Sequence, residues 1–372
     1  MNNNQKNNGR LKKSTQSGKK LIAALLLLAV GASAGYAAFK GGKGNSPASN
    51  TPPSETVGPS KPVAQIPTTP EANSAKPKGN ISPYTGLEVS DKTMNNIPFM
   101  TIIENSKPAR PQSGLSEADI VFETMAEGGI PRFIALFHSN SPKQIGPVRS
   151  ARPYFVMLAK EFNLPFGHCG GSPEALETIE KEKLMSMNEY SYTSSYWRDK
   201  TRKAPHNLYT SADKLRKLIT DKNFQEKPTS SLKFDKAYWN GSYNKAEEIN
   251  MKLNQYYSTS YKYKDGLYYK SMDNEAAMDN ANNKEIAVTN VVIQISSITS
   301  KPNDEKGRLD IKQVGQGKGY LISNGKYINI KWSKKDENSP TLLTDEQGKD
   351  VYLSPGSTWW HITDDKGTLD IR

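Results

Sequence analysis

The longest apolar stretch of the chain runs from Leu21 to Phe39, close to the N-terminus. At a rise of about 1.5 Å per residue, a helix of this length just crosses a hydrocarbon core of about 30 Å. Residues 1–20 are basic and contain no acidic residue, a pattern that keeps the N-terminus cytoplasmic and exports the chain that follows. Residues 32–34 (Ala-Ser-Ala) are an alternative signal-peptidase site. We favour an uncleaved transmembrane anchor over residues 21–39, because apolar residues continue beyond that triplet.

Few large apolar residues follow the anchor. Eight prolines lie between positions 41 and 80, mixed with Gly, Ser, Thr and Asn. A segment of this composition cannot bury a hydrophobic core. We therefore predict a disordered linker over residues 40–80, which separates the membrane anchor from the folded part of the chain.

Residues 81–225 alternate between strand-like and helix-like patterns. Residues 119–125 and 130–138 are rich in β-forming residues, and the glycines between them predict a hairpin. Helix-like segments follow Ser150, Ser172 and Ser211, and serine is a favourable N-cap residue. This alternation predicts an N-terminal domain of mixed α/β structure.

The pattern changes after residue 225, where a linker is predicted over residues 226–245. Residues 246–372 show strand-like runs rich in Tyr, Val, Ile and Trp, with turn clusters between them and no helical pattern. We predict a smaller, mainly-β C-terminal domain, built as a small sandwich or barrel. Residues 315–319 (Gly-Gln-Gly-Lys-Gly) are interpreted as a turn that precedes a strand. The predicted fold class is α+β.

The charge distribution argues against nucleic acid as the partner. The chain carries a formal net charge of +12, of which residues 1–40 contribute +7 and residues 41–80 contribute +2. This leaves +3 for residues 81–372, so the folded part needs no nucleic acid to explain its basicity. The single cysteine, Cys169, cannot form an internal disulfide. The four histidines lack metal-ligand spacing, and we predict no metal and no cofactor.

Arg149 and Arg152 are the first candidates for a binding site. They flank a predicted helix start, where cations oppose the helix dipole by a few tenths of a kcal/mol. Their presence is explained if they bind an anion at that helix start. The anion is either an external ligand, with Arg132 as a third contact, or an internal carboxylate such as Glu123 or Glu127.

Glu123 and Glu127 are also the candidates for catalysis. Two carboxylates at one cleft could serve as acid and base on a glycan, although a carboxylate at a hairpin tip is often simply solvated. His168, Ser172, His206 and Asn207 complete the set of predicted ligand-binding residues.

Other candidate groups have simpler structural explanations. Cys169 lacks a nucleophile motif around the thiol, and Ser172 lacks a nucleophile elbow and is explained as an N-cap. Trp359 and Trp360 could stack on sugars, but we interpret them as core aromatics.

Several motifs resemble those of the YerB-type lipoproteins, two-domain envelope proteins of Gram-positive bacteria with no established reaction. The resemblance covers residues 85–365 and departs from the family in one respect, because this chain has no lipobox cysteine. It implies a two-domain fold and an envelope location, and it leaves the chemistry open. The motifs are residues 110–119 (RPQSGLSEAD), 127–133 (EGGIPRF), 145–152 (IGPVRSAR), 168–173 (HCGGSP), 204–209 (APHNLY), and C-terminal pieces within 310–359.

These observations lead to one hypothesis and two alternatives. We expect a membrane-tethered extracytoplasmic protein whose N-terminal domain binds an anionic ligand, such as peptidoglycan or another cell-wall polymer. The first alternative is an enzyme that cleaves wall glycan with Glu123 or Glu127. The second is a scaffold that recruits other envelope proteins.

Overall fold

The computed structural model describes residues 79–225 and 227–372. The predicted basic segment and membrane anchor, and almost all of the predicted linker, lie outside these residues. Among the residues described, no helix is both long enough and apolar enough to cross a membrane. The described residues all belong to one compact unit that extends to Arg372.

Residues 79–225 contain nine strands and four α-helices, as far as this segment is described, together with several short 3-10 turns. The helices are α1 (Asp91–Met94), α2 (Pro153–Phe162), α3 (Pro173–Lys181) and α4 (Ala212–Lys222). The strands are β1 (Asn80–Ile81), β2 (Glu88–Val89), β3 (Phe99–Ile103), β4 (Ile120–Met125), β5 (Pro131–Phe137), β6 (Phe166–His168), β7 (Ser186–Asn188), β8 (Trp197–Arg198) and β9 (Leu208–Tyr209).

Residues 227–372 form strands and one 3-10 turn, Ala237–Asn240. The strands are β10 (Asn244–Lys245), β11 (Glu248–Lys252), β12 (Ser258–Lys264), β13 (Leu267–Met272), β14 (Glu275–Ala276), β15 (Met278–Asp279), β16 (Lys284–Glu285), β17 (Ala287–Val288), β18 (Asn290–Ile295), β19 (Ile298–Ser300), β20 (Leu309–Ile311), β21 (Gly315–Ser323), β22 (Lys326–Lys334), β23 (Leu342–Thr344), β24 (Thr358–Thr363) and β25 (Thr368–Ile371).

The central sheet is built from both predicted domains. Its order is β10-β22-β21-β18-β24-β4-β5-β3-β6-β7, with β23 paired to the outer side of β22. β24 lies parallel to β4 and brings His361 opposite Glu123. A second sheet, of order β14-β13-β12-β11-β25, carries β17 as an additional partner of β13. Six strands that follow residue 225 therefore extend the N-terminal sheet, whereas the sequence suggested a separate sandwich or barrel.

Both faces of the central sheet are covered, which explains its almost continuous apolar strands. Along β4, Ile120 and Phe122 face the core that contains helix α2, while Val121 faces the core that contains the second sheet. Trp359 on β24 shares the face of Val121. Because side chains alternate along a strand, Glu123 also points towards the second sheet.

Two of the three predicted helix starts are confirmed. The hydroxyl of Ser172 accepts a hydrogen bond from the Ala175 amide, and the hydroxyl of Ser211 accepts one from the Lys214 amide. The prediction for Ser150 was wrong, because α2 begins at Pro153 and its N-cap residue is Arg152, whose side chain caps no amide. Proline is favoured in the first turn of a helix, so the start lies two residues later than serine suggested.

The strand predictions need two corrections in the C-terminal region. Residues 315–319 are not a turn but the first half of β21, where Gly319 lies so close to β18 that an added Cβ would be 2.2 Å from the Ile293 carbonyl oxygen. Strand β10 lies inside the predicted linker over residues 226–245, where no strand was expected. Trp239, inside the predicted linker, is completely buried.

Candidate functional site

Glu104 is the centre of a polar cluster assembled from three distant parts of the chain. It follows the completely buried strand β3, and only 6% of its side chain is exposed. Its Oε1 accepts a hydrogen bond from the Ser106 hydroxyl at 2.7 Å. Its Oε2 lies 3.0 Å from Nδ1 of His206 and 3.2 Å from Nε of Arg149. The carboxylate therefore fixes an imidazole and a guanidinium on one oxygen atom.

The backbone around Arg149 is held firmly, so its side chain has a defined origin. The Arg149 amide donates to the Ile102 carbonyl at 3.0 Å, and the Val148 amide donates to the Leu208 carbonyl at 2.7 Å. The guanidinium itself is more open, with 28% of the side chain exposed. Apart from the Nε contact with Glu104, it has no hydrogen-bond or ion-pair partner among residues 79–225 and 227–372.

Glu127 forms a neighbouring cluster with Arg152 and Arg132. Arg152 binds both Glu127 oxygens through Nε and Nη2, the latter at 3.0 Å. Arg132 donates from Nη1 to the Ser150 carbonyl at 2.9 Å, and its Nη2 lies 3.6 Å from Glu127. Burial alone would raise the pKa of Glu127, but Arg152 and then Arg132 hold it below the usual value.

The two clusters are close enough to interact electrostatically. Burial, followed by the charge of Arg152 and a contribution from Arg149, lowers the pKa of Arg132 to about 10. Three arginines thus surround two glutamates, which leaves a formal charge of +1 before His206 is counted. We call these residues the arginine site: Glu104, Glu127, Arg132, Arg149, Arg152 and His206.

Glu123 lies elsewhere, inside the core between the two sheets. Its side chain has no exposed surface, and its Oε2 is 3.1 Å from Nζ of Lys270 on β13. The same oxygen accepts a hydrogen bond from the Trp359 indole at 2.7 Å. Burial alone would raise the pKa of Glu123, whereas the charge of Lys270 and then of His361 lowers it. A glycan cannot reach this carboxylate while the core is closed.

The remaining predicted site residues are dispersed around the arginine site. His168 is fully buried and is bonded through Nδ1 to the Gly170 carbonyl and through Nε2 to Ser186, and burial lowers its pKa to about 4. Ser172 is occupied as the N-cap of α3. Asn207 accepts a hydrogen bond from Arg198 at 3.2 Å. His206 is the member of this group that joins Glu104.

Two family models match this chain over most of the described residues. The N-terminal domain of a protein family of unknown function, DUF3048, matches residues 84–225, and the C-terminal domain of that family matches residues 248–360. The chain belongs to the DUF3048 family. This family assignment confirms the resemblance to YerB-type proteins that the sequence motifs indicated.

A curated relative and a solved structure agree with this assignment. The chain is 36% identical over 296 residues to "Putative lipoprotein YerB" of Bacillus subtilis. The alignment covers 78% of this chain and 88% of the relative. The crystal structure of the YerB protein from Bacillus subtilis matches with a TM-score of 0.70 at 33% identity, over 78% of this chain and 99% of the solved chain.

The arginine site contains residues that the sequence argument missed. Glu104 directly follows the apolar strand β3 and Ser106 lies two residues further on, and neither was among the predicted site residues. A signal was present in Glu104 itself, a charged residue directly after five buried apolar or β-branched positions. Such a carboxylate needs a partner, since burying an unpaired charge is costly. Lys270 was missed as well. It directly follows two tyrosines on β13, and the strand pattern gave no sign that a carboxylate lies opposite it.

The arrangement is suited to binding a small anionic group. Guanidinium groups form paired hydrogen bonds with carboxylates and phosphates, and here their internal partners leave part of that capacity unused. Among the described residues, no group of three or more His, Cys, Asp and Glu is arranged to hold a metal ion.

Proposed function

We propose that this DUF3048 protein binds an anionic polymer of the bacterial cell envelope at the arginine site. A carboxylate or phosphate group of the polymer would contact the terminal nitrogens of Arg149, and His206 would contact the same group through Nε2. The protein would reach the polymer from the outer side of the cytoplasmic membrane, tethered through residues 21–39. The name of the Bacillus subtilis relative, "Putative lipoprotein YerB", supports an envelope location.

The observation that carries the proposal is that Arg149 uses only Nε of its guanidinium group within the described fold, which leaves both terminal nitrogens open to a ligand. Arg152 is satisfied within the fold by Glu127 and by the Ala151 carbonyl at 2.8 Å. Arg149 has a single ionic contact and a partly exposed side chain. Because Nδ1 of His206 and Nε of Arg149 lie 3.0 and 3.2 Å from the same Glu104 oxygen, these two nitrogens are no more than 6.2 Å apart. This shared contact holds the His206 imidazole beside the Arg149 guanidinium.

The positive excess of the site supports an anion over a neutral ligand. Partly buried charges at short range attract a ligand more strongly than exposed charges do, because less water screens them. The site is not positive enough for nucleic acid, whose recognition requires many phosphate contacts. A wall polymer that presents one acidic group per repeat would match one open guanidinium.

The proposal is tested by co-sedimentation of the full-length, detergent-solubilised chain with purified Gram-positive sacculi. We expect Arg149→Gln to weaken binding about tenfold, equivalent to the loss of about 1.4 kcal/mol of contact energy. Arg372→Gln removes the same charge from an exposed side chain elsewhere and should bind as the unaltered protein does. Equal binding by the Arg149 and Arg372 variants would refute the proposal.

The enzyme alternative has less support. Glu123 has no exposed surface, and both oxygens of Glu127 are held by Arg152. A general acid has to meet its substrate within hydrogen-bond distance. The same sedimentation experiment examines this alternative, since an enzyme would release soluble fragments from the sacculi.

A further inference from the structure

A groove begins next to the arginine site and is lined by residues of both predicted domains. It consists of two adjoining hollows of about 460 Å³ each, which share Lys107 and Asp273. We call it the Lys107 groove. The residues that matter for its chemistry are Lys107, Arg110, Lys252, Gln255, Tyr256 and Asn274.

The groove is connected to the arginine site through consecutive residues of one loop. Lys107 directly follows Ser106, whose hydroxyl donates to Glu104. Arg110 donates from Nε to the side-chain oxygen of Asn105 at 3.1 Å, and Asn105 is the residue after Glu104. The loop that holds Glu104 therefore also supplies Lys107 and Arg110 to the groove.

Tyr256 is an exposed aromatic residue that the fold holds in place. It is 59% exposed, yet its amide donates to the Asn254 side-chain oxygen at 2.7 Å. Asn254 in turn donates to the Gly129 carbonyl at 2.7 Å. The Tyr256 ring packs beside Gly129, where an added Cβ would lie 3.1 Å from Cδ2 and where φ is +72°. An aromatic ring fixed in this way loses little entropy when a ligand covers it.

The side chains around Tyr256 suit a sugar that also carries negative charge. Gln255 and Asn274 are exposed amides, which can both donate to and accept from hydroxyl groups. Lys107 and Lys252 are exposed cations. The groove also contains two acids. Asp273 is already paired with Arg110 at 2.8 Å, and Glu275 lines the adjoining hollow rather than the one with Tyr256, so together with Arg110 the two lysines leave the groove a net positive charge.

We propose that the Lys107 groove is a saccharide subsite, in which a pyranose ring stacks on Tyr256 and its acidic substituent contacts Lys107 or Lys252. The ligand class is then an acidic glycan rather than a polymer that carries only phosphate. This inference rests on the proposed function for its location beside Arg149, and it adds the sugar ring to the anionic group.

The test uses the full-length chain in detergent and three soluble probes titrated by calorimetry: chitotetraose, poly(glycerol phosphate) and poly(dT). Chitotetraose carries sugar rings without charge, and poly(glycerol phosphate) carries charge without sugar rings. We expect Tyr256→Ala to bind chitotetraose about tenfold more weakly, a loss of about 1.4 kcal/mol of contact energy. Tyr256→Phe keeps the ring and should bind it as the unaltered chain does. Tyr190→Ala removes another exposed tyrosine, 71% exposed, and serves as the matched control.

The outcomes separate the groove from the arginine site. A loss of chitotetraose binding in Tyr256→Ala, with poly(glycerol phosphate) binding retained, supports the subsite. If Arg149→Gln leaves poly(glycerol phosphate) binding intact while Tyr256→Ala loses chitotetraose, the proposed function fails and the subsite stands. Chitotetraose binding that is absent, or unchanged in Tyr256→Ala, overturns the inference. Tighter binding of poly(dT) than of chitotetraose would overturn it as well, since bases also stack on tyrosine.

Discussion

The inner cluster of Glu123 and Lys270 and the Glu104–Arg149 pair of the arginine site both combine a glutamate with a cation, and they differ mainly in exposure. Glu123 and Lys270 have no exposed side-chain surface and join the two sheets. Glu104 is almost as well enclosed, with 6% of its side chain exposed, but its partner Arg149 is partly open to solvent. We therefore interpret the Glu123–Lys270 contact as one that the fold requires, and the Glu104–Arg149 contact as one that leaves guanidinium nitrogens open to a ligand.

Burial explains why the ammonium group of Lys270 is fully paired in the inner cluster of Glu123 and Lys270. Lys270 reaches Glu123 at 3.1 Å and the Tyr261 hydroxyl at 3.0 Å, and it also donates to Thr259. These three acceptors match the three hydrogens of an ammonium group. At the arginine site, water can accept hydrogen bonds from guanidinium nitrogens that have no protein partner, so an unpaired nitrogen costs little free energy there. A buried charge has no such alternative.

The largest effect is expected from Lys270→Met. The change leaves Glu123 as an unpaired carboxylate in the core, which should lower the free energy of unfolding by about 3–5 kcal/mol. Chemical denaturation of the variant measures this loss. Lys262→Met, on the neighbouring strand, removes a lysine that is 78% exposed and should change stability little. A similar, small loss in both variants would show that the inner cluster is not required by the fold.

Two buried histidines, His168 and His361, should make the free energy of unfolding depend on pH. Burial lowers the pKa values of His168 and His361 to about 4, from an ordinary value of 6.5. Between these values the unfolded chain binds protons that the folded chain does not, so stability is full above pH 6.5 and falls towards pH 4. Each histidine contributes a slope of up to about 1.4 kcal/mol per pH unit.

The variant His168→Gln isolates one of these contributions. Its free energy of unfolding should change less steeply between pH 6.5 and 4 than that of the unaltered chain, whatever its absolute stability. Denaturation curves at several pH values within this window provide the comparison. Parallel slopes would indicate that His168 is protonated to the same extent in both states.

The sequence predicted local structure better than it predicted which strands pair. The serine caps of α3 and α4 were readable because a cap acts on amides three residues away. The parallel pairing of β24 with β4 joins residues more than 200 positions apart, and no local pattern records it. The glycines of β21 suggested a turn. In the structure, Gly319 instead allows β21 to lie close to the neighbouring strand β18.

The candidate site was predicted in part for the same reason. Arg149 and Arg152 were recognised because cations at a helix start need an explanation. Of their two carboxylates, Glu127 was among the candidates and Glu104 was not, since only the folded chain brings β3 beside Arg149. The domain boundaries and the membrane anchor remain predictions.

A smaller loss of stability is expected from Arg152→Gln. Glu127 would lose its two-oxygen partner and keep Arg132 at 3.6 Å, so the cost should be about 1–3 kcal/mol. Thermal unfolding of this variant is the measurement. A loss as large as that of Lys270→Met would place the Glu127 cluster with the inner one, as a contact that the fold requires.

The smallest effect should come from Arg149→Gln, and it sharpens the comparison most. Glu104 would keep the Ser106 hydroxyl at 2.7 Å and His206 at 3.0 Å, so its carboxylate would not be stranded. A partly exposed ion pair contributes less than about 1 kcal/mol, and the melting temperature should barely change. The same variant should lose binding to sacculi, because the open nitrogens of Arg149 are what it removes. A large fall in melting temperature would instead show that Arg149 supports the fold, and the difference between the two clusters would then be one of exposure alone.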